Sequence, residues 1–392
     1  MKVIISVICF LYAVCGAYSQ TLTVVDSIDD SPVAGASVFG RGGVIIGTTG
    51  ADGSLNGVSD ADYPLTFRCL GYRSAVDTVG ESIIRMIPES FELGEVVVTP
   101  LDRPVMHVLC YIREYSGTAN ATDTVQLYSE HMADYFIATT KIRKFKSQTK
   151  PRILNSRLYA RMKTRDGSDS IFRPDYRDDM ISWIDLVELP ALKVEESEAI
   201  RSGAATDMEQ GKYWVRARSR KTPGMFAQST DYLADSKNHR MSPAIFKLLG
   251  FTIDFNRLDM SWAWRPNGHG VYTVQDLIYG TMSMEVRGRG KWIKKAFNSD
   301  TDVDINGLFE IYPVDIEYLT VEEAKTLMRD DMATAPMRRS PDALPLPAAT
   351  QRLVDIVDGK LKIPNRSAKH RVWNNIFSSL LLEGDALAAG AA

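Results

Sequence analysis

Five histidines, His107, His131, His239, His269 and His370, are where metal-dependent or general-base chemistry would have to start. A catalytic zinc site of the hydrolase type needs a His-x-x-Glu pair and a distant third histidine, leaving the fourth position open. None of the five has glutamate three residues on. His131 and Asp134 have that spacing with a shorter carboxylate, at what reads as the end of a strand, and surface or loop histidine is the plainer reading for all five. Asp302-Val303-Asp304-Ile305-Asn306-Gly307 sets oxygen-bearing side chains at alternate positions before a glycine, the first half of a calcium loop. The position that should supply a bidentate glutamate is Pro313, so a hairpin turn is expected instead. No Gly-x-Ser-x-Gly elbow occurs, and neither Gly40-Arg41-Gly42-Gly43 nor Gly288-Arg289-Gly290 leads a strand into a helix. No catalytic residue, cofactor or metal ligand is therefore expected.

Two surface features remain as a weak binding site. Lys141, Arg143, Lys144 and Lys146, continued by Lys150 and Arg152, form a basic run that would suit anionic lipid headgroups or a polyanionic glycan. Arg216, Arg218 and Arg220, and Arg287, Arg289, Lys291, Lys294 and Lys295, repeat that composition, although solvated strand faces and protected sheet edges explain it as well. Trp262 and Trp264 alternate, so both point to one face of a strand, a platform for sugar stacking or else part of a core. Asp26-Ser27-Ile28, Asp77-Thr78-Val79, Asp123-Thr124-Val125 and Asp169-Ser170-Ile171 match a short O-glycosylation signal of some exported bacterial proteins.

A chain of 392 residues implies two domains with short terminal pieces. A net charge of -3 argues against a nucleic-acid partner. Met1-Lys2, the apolar run Val3 to Val14, and Ala17-Tyr18-Ser19 before Gln20 have the layout of a secretory signal peptide. The mature chain is expected to begin at Gln20, and acylation of Cys15 is the alternative, although Val14 precedes it where a small residue is usual. Cys69 and Cys110 remain after processing, as two buried thiols or as a bridge that export would permit.

From Gln20 onward the pattern is that of sheets. Leu22 and Val24, Ala36 and Val38, and Leu65, Phe67 and Cys69 alternate with small or polar residues, the period of a strand buried on one face. Pro32 pre-sets a bend, and Asp52-Gly53 supplies the positive φ of a tight hairpin. In order, Thr21 to Val25, Ser31-Pro32-Val33-Ala34-Gly35-Ala36-Ser37-Val38, the hairpin Gly47 to Leu55, Leu65 to Gly71-Tyr72 and Leu93-Gly94-Glu95-Val96-Val97-Val98 follow the plan of a known module. Residues 20–98 thus resemble the carboxypeptidase-regulatory-like domain of Gram-negative envelope proteins, departing at Gly50 and Leu55. The resemblance implies an Ig/transthyretin-like β-sandwich without catalytic activity.

Thr99 to Pro104 reads as a linker because two prolines disfavour regular structure. Residues 105–335 then read as an antiparallel β-rich (α+β) domain. Leu109 to Tyr115 and Val125 to Glu130 flank a loop, Ser116 to Thr124, and Arg157 to Met162, Asp169 to Phe172, Tyr213 to Arg218, Val271 to Val274, Thr281 to Val286 and Leu308 to Tyr312 continue the strands. Helices are expected at Ala244 to Leu249, from the capping box Thr320-Val321-Glu322-Glu323 to about Asp331, and at Val372 to Leu382, the last after a Pro-rich linker, Pro336 to Pro347. This half is similar to an uncharacterised region found with the regulatory-like module, which implies no activity. The whole reads as a mainly β, non-catalytic envelope protein, periplasmic or outer-membrane-associated, that binds or scaffolds another envelope protein, a glycan or lipid. A carrier or chaperone for an apolar ligand, and an unrecognised hydrolase, are the alternatives.

Overall fold

A computed structural model describes residues 20–89, 102–119, 123–164, 169–173, 184, 187–189, 193–202, 206–210, 215–222, 224–232, 252–291, 302–330 and 332–359. The chain is mainly β and divides into two compact units, Met1–Glu89 and Ser90–Ala392. The leader-like residues 1–19, the strand expected at 93–98 and the helices expected at 244–249 and 372–382 lie outside the described residues.

In the first unit, β4 (Ser54–Val58), β1 (Gln20–Asp26) and β7 (Ile83–Met86) form one sheet in that order. β3 (Ile45–Thr48), β2 (Ser37–Phe39), β5 (Leu65–Arg68) and β6 (Ala75–Asp77) form another. Leu22 and Val24 of β1, Val38 of β2, Leu65 and Phe67 of β5 and Ile84 and Met86 of β7 meet in one apolar core, because alternate residues of each strand face it. Gly53 sits in the tight turn before β4 at φ 74°, where an added Cβ would stand 2.4 Å from the Val24 carbonyl oxygen. Only glycine fits there. Two buried side chains brace the unit. Thr49 accepts from the Ala36 N–H and donates to the Val33 carbonyl, and Tyr72 donates to Asp26, 3.0 Å away. The second strand expected after the Pro32 bend is β2, and Pro32 itself makes a single bridge to Val25.

The second unit is built on a ten-stranded sheet whose adjacent strands all run antiparallel. Its strands are β8 (Val105–Ala119), β9 (Asp123–Ala138), β10 (Gln148–Thr164), β11 (Asp169–Phe172), β13 (Thr206–Gln210), β14 (Val215–Thr222), β15 (Met225–Asp231), β16 (Thr252–Trp264), β18 (Leu277–Arg289) and β19 (Val303–Leu319). The order is β11-β10-β9-β8-β19-β18-β16-β15-β14-β13, so two meanders join where β8 pairs β19. β12 (Val194–Glu195) and β17 (Val271–Tyr272) make a separate two-stranded ladder. The expected loop Ser116 to Thr124 is shorter than its composition suggested. Cross-strand pairing carries β8 and β9 on to Ala119 opposite Thr124. The six-residue calcium-like motif runs into a strand and is not the expected hairpin turn, because Val303 to Gly307 pair with Gly288 to Met284 of β18.

One face of this sheet is apolar. Val108, Ile112, Tyr135, Ile311, Met282 and Trp264 lie in its core with Phe226 and Tyr272. Trp262 rests on the bare backbone of Gly280, where a Cβ would come within 2.2 Å of the ring. Three helices are described: α1 (Glu198–Arg201), α2 (Val321–Met328) and α3 (Ala348–Val357). α2 begins where the capping box put it. The Thr320 hydroxyl accepts from the Glu323 N–H, and the Glu323 carboxylate accepts from the Thr320 N–H at 2.8 Å. Among the described residues no helix is long and apolar enough to cross a membrane.

Candidate binding site

The opposite face of the sheet carries a row of buried charges framed by tyrosines. Antiparallel register sets Arg113 of β8 directly opposite Glu310 of β19 on one side and Glu130 of β9 on the other. Two residues away along each strand, the same-face positions are Tyr111 and Tyr115 on β8, Tyr128 on β9 and Tyr312 on β19. The rings touch across the strands: Tyr279, Tyr312 and Tyr111 form one file, and Tyr115, Tyr128 and Tyr159 another, with centroids 5.0–6.2 Å apart. A polar face of this kind is expected to meet water, yet Tyr111, Tyr128, Glu130, Glu310 and Tyr312 are fully buried.

Burial of these charges is tolerable because each is hydrogen-bonded. Arg113 lies over the rings of Tyr111 and Tyr312, 5.4 and 5.9 Å from their centroids, and donates toward Glu310 at 3.4 Å. Tyr115 and Tyr312 each donate to the same Glu310 oxygen at 3.3 Å. Glu130 accepts from the Tyr111 hydroxyl at 2.7 Å and from the Tyr128 hydroxyl at 3.0 Å. Burial alone would push the Glu130 carboxyl up. Hydrogen bonds from Tyr111 and Arg339, together with the Arg339 charge, outweigh it and hold the group below the ordinary carboxylate range. Burial pushes the Tyr111 phenol up to about 12, so it stays a neutral donor.

The segment 332–347, which holds the expected Pro-rich linker Pro336 to Pro347, lies over this row. Asn155 donates to the Ala335 carbonyl at 2.9 Å, and the Arg338 N–H meets the Met132 sulfur at 3.4 Å. Arg339 donates to both Glu130 oxygens, at 2.8 and 3.1 Å. The Leu344 carbonyl accepts from Arg113, and the Leu344 N–H donates to the Tyr312 hydroxyl at 3.2 Å. Ser340 and Pro347 are buried, and α3 then packs on β10 and β11 through Leu353, Val354 and Ile356. Prolines stop this segment from forming a helix or strand, but they leave its carbonyls as acceptors.

Two further polar clusters involve histidine. His107 lies between Asp134 and Glu317, its ring nitrogens 2.9 and 2.6 Å from their oxygens, and stacks on Phe136. Burial lowers its pKa, but the hydrogen bonds and charges of Asp134 and Glu317 outweigh that and raise it. Asp134 is also clamped by Arg152 at 2.6 and 2.9 Å, and burial is outweighed there too, leaving its pKa lowered. Arg152 completes the end of α2 by donating to the Leu327 and Asp330 carbonyls. On the opposite face, buried His131 sits between Ser129 and Ser156, each 2.8 Å from one ring nitrogen, with Glu114 3.6 Å away. His131 lies mid-strand in β9, not at a strand end, so Asp134 three residues on faces away from it.

The residues suggested by sequence are dispersed. Trp262 and Trp264 share a face as their spacing implied, but that face is the apolar core, and neither ring is open for stacking. Lys141, Arg143, Lys144 and Lys146 are exposed on the turn between β9 and β10, while Ile142 and Phe145 point inward beneath α2. Arg287 is engaged bidentately by Asp304 at 2.6 and 2.9 Å, and Arg289 by Asp254 at 3.3 Å, so those two are not open cations. Trp183, Trp214, Trp292, Trp373, His239 and His370 lie outside the described residues. The two described cysteines are not bridged to each other, Cys110 being buried and Cys69 partly so. Among the described residues no three His, Cys, Asp or Glu side chains gather as they would around a metal ion.

What sequence reasoning missed is the row of Glu310, Arg113 and Glu130. Its signal was the alternation Tyr111-x-Arg113-x-Tyr115, Tyr128-x-Glu130 and Glu310-x-Tyr312. No family model matches the chain, and no curated protein matches it either. Among solved structures, one described as lipid-protein interactions in lipovitellin is similar over 55% of this chain and 25% of that one, at 8% identity and a TM-score of 0.30. A likeness that low carries no argument.

Proposed function

We propose that this chain is a non-catalytic, exported protein of the cell envelope that binds or scaffolds a partner. Its first unit would be a transthyretin-like sandwich of the carboxypeptidase-regulatory-like kind, and the tyrosine-framed face of the second unit its binding surface. The observation that carries this reading is the state of the groups best able to move protons. Both ring nitrogens of His107 and of His131 are engaged, and Glu130 and Asp134 are held ionised by their donors. His131, Glu130 and Asp134 are also buried, so these groups serve as fixed, complementary donors and acceptors and do not face a substrate. Export is supported by the leader-like residues 1–19.

Mass spectrometry of the chain recovered from a native envelope fraction, after chemical crosslinking, tests the reading. An amino terminus at Gln20 and reproducible crosslinks to another envelope component are expected. An uncleaved leader in a soluble cell extract would overturn the compartment. Turnover of a panel of ester, peptide and glycoside substrates that is abolished by His131→Ala would overturn the non-catalytic part. The carrier alternative needs a continuous apolar cavity. The close seating of Trp262 on Gly280 and the stacking of Phe226 on Tyr272, centroids 4.5 Å apart, weigh against one at those positions.

A further inference from the structure

We propose that the Glu130 recess is a docking site for an extended, arginine-bearing segment of a partner protein, and that residues 335–344 of this chain occupy it as an internal stand-in. The inference deepens the binding role above and rests on it. The chain's own segment shows what the recess reads. One guanidinium, that of Arg339, meets a carboxylate whose other donors, Tyr111 and Tyr128, fix it in place. Four further contacts go to main-chain atoms: the Ala335 carbonyl, the Arg338 N–H, and the carbonyl and N–H of Leu344. A surface that holds backbone groups plus one side chain recognises an extended peptide in general and an arginine in particular.

The stand-in is held in a way that permits exchange. Residues 332–347 belong to none of the described strands or helices, so side-chain bonds rather than a sheet ladder keep them in place. The Arg339 side chain is 47% exposed, and its neighbour Arg338 pairs with Asp315 at 3.2 Å on the open surface. The Glu130 side of the contact is set by the sheet, where the Tyr111 and Tyr128 hydroxyls hold the carboxylate at 2.7 and 3.0 Å. A partner segment would thus meet a rigid acidic recess and compete only with a tethered occupant, whose effective concentration is on the order of millimolar.

Fluorescence anisotropy with a labelled peptide of the sequence of residues 333–347 tests this on the full chain. Wild type should bind weakly and Arg339→Ala at least tenfold more tightly, since the internal competitor has lost its anchor. Adding Glu130→Gln to Arg339→Ala, or replacing the peptide's second arginine with alanine, should remove that gain. Equal peptide affinity for wild type and a folded Arg339→Ala variant overturns the proposal. Where that variant does not fold, hydrogen exchange on wild type decides. Saturating peptide should speed exchange at the Arg338 and Leu344 amides, and unchanged rates overturn the inference. A wild-type dimer that exchanges these segments between copies, seen by light scattering, would make a second copy the occupant and overturn it as stated. Failure to find envelope crosslinks bears on the proposed role alone, because the anisotropy measurement needs no native partner.

Discussion

Arg339 reaches back across 209 residues of chain to set its guanidinium 2.8 Å from Glu130, a carboxylate shielded completely from water. One end of the pair is buried and the other is half in solvent, so the two partners respond differently to removal. Deleting Arg339 leaves an ionised group in the sheet with only Tyr111 and Tyr128 as donors.

Arg339→Met should therefore destabilise the protein by about 1–3 kcal/mol, toward the lower end because water already reaches the guanidinium. The penalty has a pH signature. Glu130 has a depressed folded-state pKa, so its stabilisation is present above its unfolded value of about 4.3 and is lost as pH falls through the lower folded value. Urea midpoints of wild type and variant should consequently converge on acidification. A gap that stays constant into acid would show that charge plays no part.

His107 and Asp134 give opposite slopes. The folded pKa of His107 is raised, so its contribution is complete below about 6.5 and fades as pH rises through the folded value. That of Asp134 is lowered, so its contribution is complete above about 3.9 and fades as pH falls through the folded value. Stability from this cluster should peak between those limits, and His107→Gln should flatten the alkaline limb of a melting profile. Identical alkaline limbs in wild type and variant would rule His107 out as its source.

Thr320→Ala removes the hydroxyl that caps α2 and should cost about 1 kcal/mol. Thr320→Ser keeps the acceptor and should restore most of it. Chemical denaturation of both variants checks this, and equal losses would mean that the methyl group rather than the cap matters.

Gly280→Ala forces a methyl group against the ring of Trp262. The expected cost is about 1–3 kcal/mol, with a change in Trp fluorescence, since a packed sheet face must shift to admit it. Combining it with Trp262→Leu should recover part of the loss. No recovery in the double variant would mean that the strain lies in the backbone.

Local chemistry in the sequence was enough to specify the mainly β character, the positive-φ turn at Asp52-Gly53, the capped start of α2 and the antiparallel pairing of β8 with β9, though not its register. Each depends on a two-residue alternation, a backbone preference or a cap, and all of these act within a few residues. The charged, tyrosine-framed face depended on register. Arg113 meets Glu310 because β8, at the start of the unit, pairs with β19 near its end, and no local preference encodes a contact 197 residues apart. The same holds for residues 336–347, whose prolines exclude regular structure but cannot say where the chain lies; long-range contacts from Asn155, Glu130, Arg113 and Tyr312 decide that. Trp262 and Trp264 make the point in reverse. Alternation put them on one face, and only the assembled sheet determined that this face is the one closed to solvent.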